Sequence, residues 1–318
     1  MNLLAAMRYL AALNAHGHFA RAAQACHITQ PALSNALRAL EQEFGVPIVR
    51  RGRVYAGLTP EGEQVLRTGL DMLHQEEVLR QTLSAQTGQL QGHLRMAAVP
   101  TAMPMLVRFA ALLRTQHPGV VPVLQSMSSP DIERGLEALS LDLALGYSDR
   151  IRTARTQVAA QYQEQYYLLR HVLKDQAANQ QTALTLQWGS ALPWAHAAEV
   201  ELCLLTPDMH NRQMVERTFQ SIGLPVRVAM ETNSVQALLQ AVVDAGMASI
   251  VPGAVLATVR HMQGLRAAPL VDPVVHSEVA FIYQQEQASM PALQAALALM
   301  HDAAWHAQCQ QHAGALPH

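Results

Sequence analysis

From Pro60 to about Thr87 the chain runs without an internal proline, with Gly69 as its weak point. Val65, Met72 and Leu79 recur every seven residues, with Leu66 and Leu73 alongside and Leu70 and Leu83 nearby, the stripe of a helix that pairs with another helix. A helix of roughly 28 residues is ~42 Å long at 1.5 Å per residue, too long to be covered by a small domain alone. The stretch therefore divides the chain into a small head and a large body. A helix packed only on its own chain is the alternative reading.

Length fits that division, since 318 residues exceed one compact domain by the usual prior. Half of the residues are apolar and 14% are charged, which supplies sizeable cores and argues against disorder. No apolar run approaches the ~20 residues of a membrane span. Arg8 and Asn14 interrupt the apolar residues where a signal peptide would need a continuous block, so the protein is expected in the cytoplasm, with no membrane partner. Cys26, Cys203 and Cys309 lie far apart, and neither a structural disulfide nor a redox pair is expected. The net charge is −2, but its distribution is uneven. Residues 1–67 carry seven arginines against four glutamates, a net of +3, and the remainder carries −5. A basic front and an acidic body suit a chain of which one end meets phosphate.

In the head, Leu3, Met7, Leu10, Ala11 and Asn14 follow helical spacing up to Gly17, and the alanine-rich residues 19–26 form a short second helix. His27 and Ile28 make a turn, Thr29 is a good N-cap, and Pro31 sits where a first-turn proline is tolerated. The helix over residues 30–41 has two faces. Leu33, Ala36, Leu37 and Leu40 form the buried one; Gln30, Ser34 and Arg38, with Asn35 beside them, form the other. Amides, hydroxyls and arginine are the groups that read base edges in the major groove, whereas a merely solvated face more often carries Glu and Lys. Residues 46–62 then give two short strands about Gly52 and Arg53, with Arg50, Arg51 and Arg53 at the turn as a wing that holds phosphates or enters the minor groove. An exposed basic loop would look the same.

These residues resemble the opening of the LysR-type transcriptional regulators. The family's landmarks fall on Ala22-Ala23, residues 30–34 (Gln-Pro-Ala-Leu-Ser), Leu40-Glu41, Gly45, Arg50 and residues 58–62 (Leu-Thr-Pro-x-Gly). His18 stands where the family usually has Ser, and Ile48-Val49 where it usually has Leu-Phe. The resemblance implies a winged helix-turn-helix over residues 1–59 and a linker and dimerisation helix over 60–90. It also implies double-stranded DNA with a dyad operator as partner, contacted through Thr29, Gln30, Pro31, Ser34, Asn35, Arg38, Arg50, Arg51 and Arg53. A homodimer through the linker helix, a homotetramer of such dimers and contact with RNA polymerase are further implications.

The body reads as β-α-β-α-β: strands over 93–101, 120–128 and 141–147, with helices through Leu106, Phe109, Leu112 and Leu113 and through Ile132, Leu136 and Leu139. A second set has strands over 165–172, 200–206, 226–232 and 248–252 and helices over 212–222 and 235–245. Return segments near 265–271 and 279–283 lead to a last helix from Met290 to about Gln308. Gly92-x-Leu94-Arg95, Leu141-Asp142-Leu143-Ala144 and residues 242–252 resemble landmarks of the LysR effector domain, a two-lobed α/β fold like type 2 periplasmic binding proteins. Its expected extent is residues 91–318, with one lobe about 91–162 and 268–305 and the other about 163–267. Ligands of such folds lie between the lobes, at strand ends and helix starts. By position the resemblance assigns Thr101 and Ser128 to effector binding, with Pro100 and Ser129 adjoining; Thr206 at a strand end, Asn233 before a helix and His210 near the cleft edge are the candidates from the second lobe. Helix starts favour anions, and His210 and Arg212 add positive charge, so a small anion or carboxylate is expected, with formate and cyanate as guesses.

His301, His306, Cys309 and His312 are spaced so that only some pairs face together on a helix, which reads as a polar tail rather than a metal site. No Gly-x-Ser-x-Gly elbow, phosphate-binding Gly-rich loop or His-Glu-x-x-His pair occurs, so neither an enzyme nor a bound cofactor is expected. A solute-binding protein built on the two-lobed fold is the rival reading.

Overall fold

Asn2 opens the first helix by accepting the Ala5 amide at 3.1 Å, and Gly17 closes it in the left-handed conformation at φ 60°. The computed structural model describes residues 2–50, 55–151, 155–172 and 185–312. They divide into two compact units, Met1–Gly92 and His93–His318. Among the described residues no helix is long and apolar enough to cross a membrane.

The first unit holds α1 (Leu3–His16), α2 (Phe19–Ala25), α3 (Gln30–Phe44) and α4 (Pro60–Gln86). Leu10, Leu13, Leu33, Leu40 and Ile48 are fully buried between them, and the small Ala22 and Ala23 let α2 approach closely. His18 does the work of the family's serine: its Nδ1 accepts the Ala20 amide at 3.1 Å and caps α2. After α3 the chain turns back with Val49 bridged antiparallel to Leu58 and the Arg50 amide donating to Gly57 at 3.0 Å. Arg51 and Arg53, assigned to the tip of this wing, lie outside the described residues.

Two glycines in α4 are positions of close approach. A Cβ on Gly62 would lie 2.1 Å from the Ile48 carbonyl oxygen, and one on Gly69 would lie 2.6 Å from the sulfur of Met7 on α1. The weak point of the helical pattern is thus where α1 crosses. The heptad stripe divides in function: Val65, Leu66 and Leu73 pack against the head's core, whereas Leu79 and Leu83 are 58% and 53% exposed.

The second unit continues with β1 (Gly92–Ala98), α5 (Met103–Gln116), β2 (Val120–Ser126), α6 (Ser129–Glu137), β3 (Leu143–Tyr147), β4 (Thr156–His171), β5 (Gln187–Trp188), β6 (Leu192–Pro193) and α7 (Trp194–Ala197). Then follow β7 (Leu202–Leu205), α8 (His210–Ser221), β8 (Val228–Thr232), α9 (Val235–Ala245), β9 (Ala248–Pro252), α10 (Gly253–Val259), β10 (Leu265–Val271), β11 (His276–Gln284), α11 (Pro291–Leu299) and α12 (Ala303–His312). Strand order is β2-β1-β3-β11-β4-β9-β7-β8, with β10 also paired to β4.

β4 carries the two lobes. Its first part pairs antiparallel with β11 as far as Gln165, and from Tyr166 onward it pairs with β9 and β10. It starts nine residues before the sequence pattern begins at 165. Those residues are glutamine-rich and mostly half-exposed or exposed, which hides the apolar alternation that marks a strand. The last helix breaks at residues 300–302 into α11 and α12, and α10, α7 and the two-residue strands have no counterpart in the periodicity. Two of the landmarks meet: buried Asp142 accepts the Arg95 amide at 2.7 Å and its Nε at 3.0 Å, and Gln287 donates to it at 3.1 Å.

Candidate functional site

In the head, Thr29 caps α3, accepting the Ala32 amide at 3.4 Å, and Leu33, Leu37 and Leu40 turn inward. That anchoring leaves Gln30, Pro31, Asn35 and Arg38 exposed and Ser34 half-buried, on the outward side of the helix. Ser34 and Arg38 face a groove of about 990 Å³ whose other wall includes Pro47, Arg50 and Thr59. Glu41, which sequence reasoning took only as a landmark, fixes that wall. One carboxylate oxygen accepts the amides of Ile48 at 2.8 Å and Val49 at 3.1 Å. Thr59 closes the unit from the far side, donating to the Pro47 carbonyl at 2.6 Å and accepting from Gly62 at 2.9 Å as the cap of α4. Arg50 donates through Nε to the Leu58 carbonyl at 2.8 Å, so only its terminal nitrogens remain for a partner.

In the second unit, three helix starts converge on one small cavity: the turn Pro100–Ala102 that leads into α5, the start of α6, and the start of α8. Pro100, Thr101, Ser128, Ser129 and His210 line it, as the sequence places them. Ser128 is the cap of α6 and is also bonded to Asp131, which leaves Ser129 as the free hydroxyl of that turn. Asn233 is exposed and Thr206 lies outside the lining; the β8-α9 turn uses Thr232 and Ser234 for its own capping. Tyr147, Leu205, Met209 and Asn211 belong to the lining and had no sequence signal beyond their places at a strand end or helix start.

The cavity measures about 10 Å³, close to the least that holds one water. Tyr147 and His210 close it, their rings stacked at 3.8 Å between centroids, and the Tyr147 hydroxyl meets Thr101 Oγ1 at 3.1 Å. Several buried polar atoms around it have no partner in the protein: Ser129 Oγ, Asn211 Nδ2 and His210 Nδ1. Such atoms are costly unless something else satisfies them.

The expected positive charge is absent from this lining. Burial lowers the pKa of His210 to about 4, so the imidazole is neutral at pH 7. Arg212 is turned away, its guanidinium held by Glu216 at 2.8 Å, Glu231 at 2.7 Å and the Leu205 carbonyl at 3.0 Å. What the lining offers is neutral donors and helix starts. A larger hollow of about 510 Å³ also has His210 in its lining, together with Asp149, Arg217 and His276. No group of three or more His, Cys, Asp or Glu is placed to hold a metal among the described residues.

Comparison with known proteins agrees with this division. The family profile described as the LysR substrate binding domain matches residues 87–305, and that of the bacterial regulatory helix-turn-helix protein, lysR family, matches residues 4–63. An SDS degradation transcriptional activation protein of a Pseudomonas strain is 39% identical over 121 residues, 38% of this chain and 40% of that one. The DNA-binding transcriptional dual regulator OxyR of Escherichia coli K12 is 30% identical over 140 residues, 44% of this chain and 46% of that one. The chain thus aligns with less than half the length of these curated relatives. Among solved structures, full-length CbnR in complex with its target DNA superposes with a TM-score of 0.62 at 23% identity, over 93% of this chain and 97% of that one. A full-length OxyR variant from Pseudomonas aeruginosa gives 0.64 at 23% identity, over 93% and 96%. Identities this low speak for the fold, whereas the two family profiles cover most of the sequence in the order of its two units. The protein belongs to the LysR family of transcriptional regulators.

Proposed function

We propose that the protein is a sequence-specific DNA-binding regulator in the cytoplasm whose action on its operator is set by a small anion held in the interlobe cavity. The convergence of three helix starts with unpartnered, buried donor atoms on one cavity is the observation that carries this reading. Amide N–H groups at helix starts and the neutral donors Ser129 and Asn211 favour an acceptor-rich ligand without any formal cation. The closed lining calls for a ligand of a few atoms, a small carboxylate such as formate or an ion such as cyanate, or for an opening of the lobes along β4.

DNA binding follows from the outward face of α3. Gln30, Ser34, Asn35 and Arg38 would read base edges, with Thr29 and Arg50 holding phosphate and Arg51 and Arg53 acting from the wing. Leu79 and Leu83 supply the pairing surface for a second copy, and two heads would read a dyad. A tetramer of two such dimers and contact with RNA polymerase complete the proposal. Several relatives are named hydrogen peroxide-inducible genes activators. A peroxide sensor needs a reactive thiolate, whereas Cys203 is fully buried in β7 and burial raises the thiol pKa of Cys26, Cys203 and Cys309, the last to about 12.

Two variants test the assignment. Arg38→Ala should weaken binding to the operator by 1–3 kcal/mol, on the order of tenfold or more, and leave binding to random DNA nearly unchanged. Thr101→Ala should abolish the response to the effector and keep DNA affinity. Equal losses on both DNAs for the first, or lost DNA binding for the second, would refute the role given to that residue.

A further inference from the structure

The hollow of about 510 Å³ falls within the range of small-molecule sites, and of its lining only His210 also belongs to the effector cavity. One wall is a face of α8, along which His210, Met214, Arg217 and Thr218 recur at helical spacing. The other walls are Ser148 and Asp149, just after β3, and the start of β11, where His276 and Glu278 alternate to one face. Met214 and Thr218 are buried and Val275 is half-buried, whereas Arg217, Asp149, His276 and Glu278 are exposed. The apolar part of the lining thus lies deep, and the charges stand at the rim.

Each hydroxyl in the lining already has a partner. Thr218 donates to the Met214 carbonyl at 2.9 Å, and Ser221 donates to the Thr218 carbonyl at 2.7 Å. Ser148 donates to Glu278 at 2.8 Å, and Ser277 accepts from Tyr166 at 2.6 Å. What the hollow offers a ligand is therefore apolar surface and charge.

The charges are of both signs and are not matched to each other. Among the described residues neither Arg217 nor His276 belongs to an ion pair, and Glu216, next to Arg217, is held by Arg212. Asp149 reaches Arg150 at 3.6 Å, longer than a hydrogen bond. Arg217 and Asp149 both lie close enough to His210 to act on its proton, with opposite effect, yet no ion pair joins them across the hollow.

A ligand of one sign fits this lining poorly. A simple carboxylate answers Arg217 but meets Asp149 and Glu278 as like charges, and a simple amine has the reverse problem. We propose that the hollow binds a free α-amino acid with an apolar side chain. Its carboxylate rests on Arg217 with His276 beside it, its ammonium on Asp149, and its side chain on Met214 and Val275. This assignment goes beyond the anion read into the cavity and does not depend on it.

Calorimetric titration of the full chain with L-valine, L-leucine and L-methionine tests the site. Each is set against its own deaminated acid and decarboxylated amine, isocaproate and isoamylamine in the case of leucine. At least one amino acid should bind, and its two analogues should bind about tenfold more weakly or worse. Arg217→Gln and Asp149→Asn, both at exposed positions, should each lower that affinity about tenfold, while Thr101→Ala in the cavity should leave it unchanged. Binding of none of the three, an acid or amine bound as tightly as its amino acid, or an affinity unmoved in either rim variant would overturn the proposal. Binding lost in Thr101→Ala and kept in Arg217→Gln would overturn it too, by placing the ligand in the cavity.

Discussion

Asp142 shows how much one buried charge organises. It accepts from the Arg95 backbone and side chain and from Gln287, so β1, the start of β3 and the 310 turn before α11 are tied to one carboxylate. Asp142→Ala would leave those donors unpaired and should cost about 3 kcal/mol, read as a lower urea midpoint for the effector unit. Glu164 makes the opposite case, a buried acid that is stable only while neutral. Its pKa is raised from 4.5 when unfolded to about 8 when folded. The folded state thus holds the proton more tightly, and that stabilisation is complete below about pH 4.5 and lost as pH rises through 8. The loss is on the order of 5 kcal/mol. Melting curves across this range should show a decline in the wild type that Glu164→Gln lacks. Thr101, Ser128 and Ser129 were legible in the sequence because hydroxyls at helix starts advertise themselves. Tyr147 and Asn211, which also line the cavity, were not, since their places depend on partners distant in the chain.

At the scale of elements, the helix-turn-helix could be read nearly residue by residue because its signals are local: caps at Thr29 and Thr59, stops at Gly17 and Gly45, and a clear division of faces on α3. Gly62 is the sharpest constraint. Gly62→Ala would drive a methyl group into the Ile48 carbonyl, and the displaced start of α4 should destabilise the head by about 2 kcal/mol, measured by thermal unfolding. The linker helix illustrates what periodicity cannot assign. Its stripe is continuous in sequence, yet Val65, Leu66 and Leu73 pack on the head while Leu79 and Leu83 are left exposed. Replacing Leu79 and Leu83 together by lysine should lower the oligomeric state seen by light scattering without moving the melting temperature of the head. An unchanged mass would place the pairing surface elsewhere. The long β4 was only half legible, because its exposed glutamines carry no apolar alternation and it serves two lobes with different partners.

For the whole molecule, the two-unit division follows from simple features: a basic front, an acidic body and a long proline-free helix at the junction. The architecture was readable at that level because each unit has its own core and its own pattern. The electrostatic character of the cavity was not. Sequence proximity credits His210 and Arg212 with positive charge, whereas burial neutralises one and Glu216 and Glu231 occupy the other. What lines the cavity instead is helix starts and neutral side-chain donors. The central claim is that a small anion bound there changes how the heads engage DNA. It is tested most directly by fluorescence anisotropy of the full chain on DNA just upstream of its own gene, against a scrambled duplex, with formate and other small carboxylates added in turn. The account predicts a marked preference for the upstream fragment and a shift in its affinity with one carboxylate, a shift that Thr101→Ala removes. Equal, steeply salt-dependent binding to both duplexes with no response to any carboxylate would contradict it.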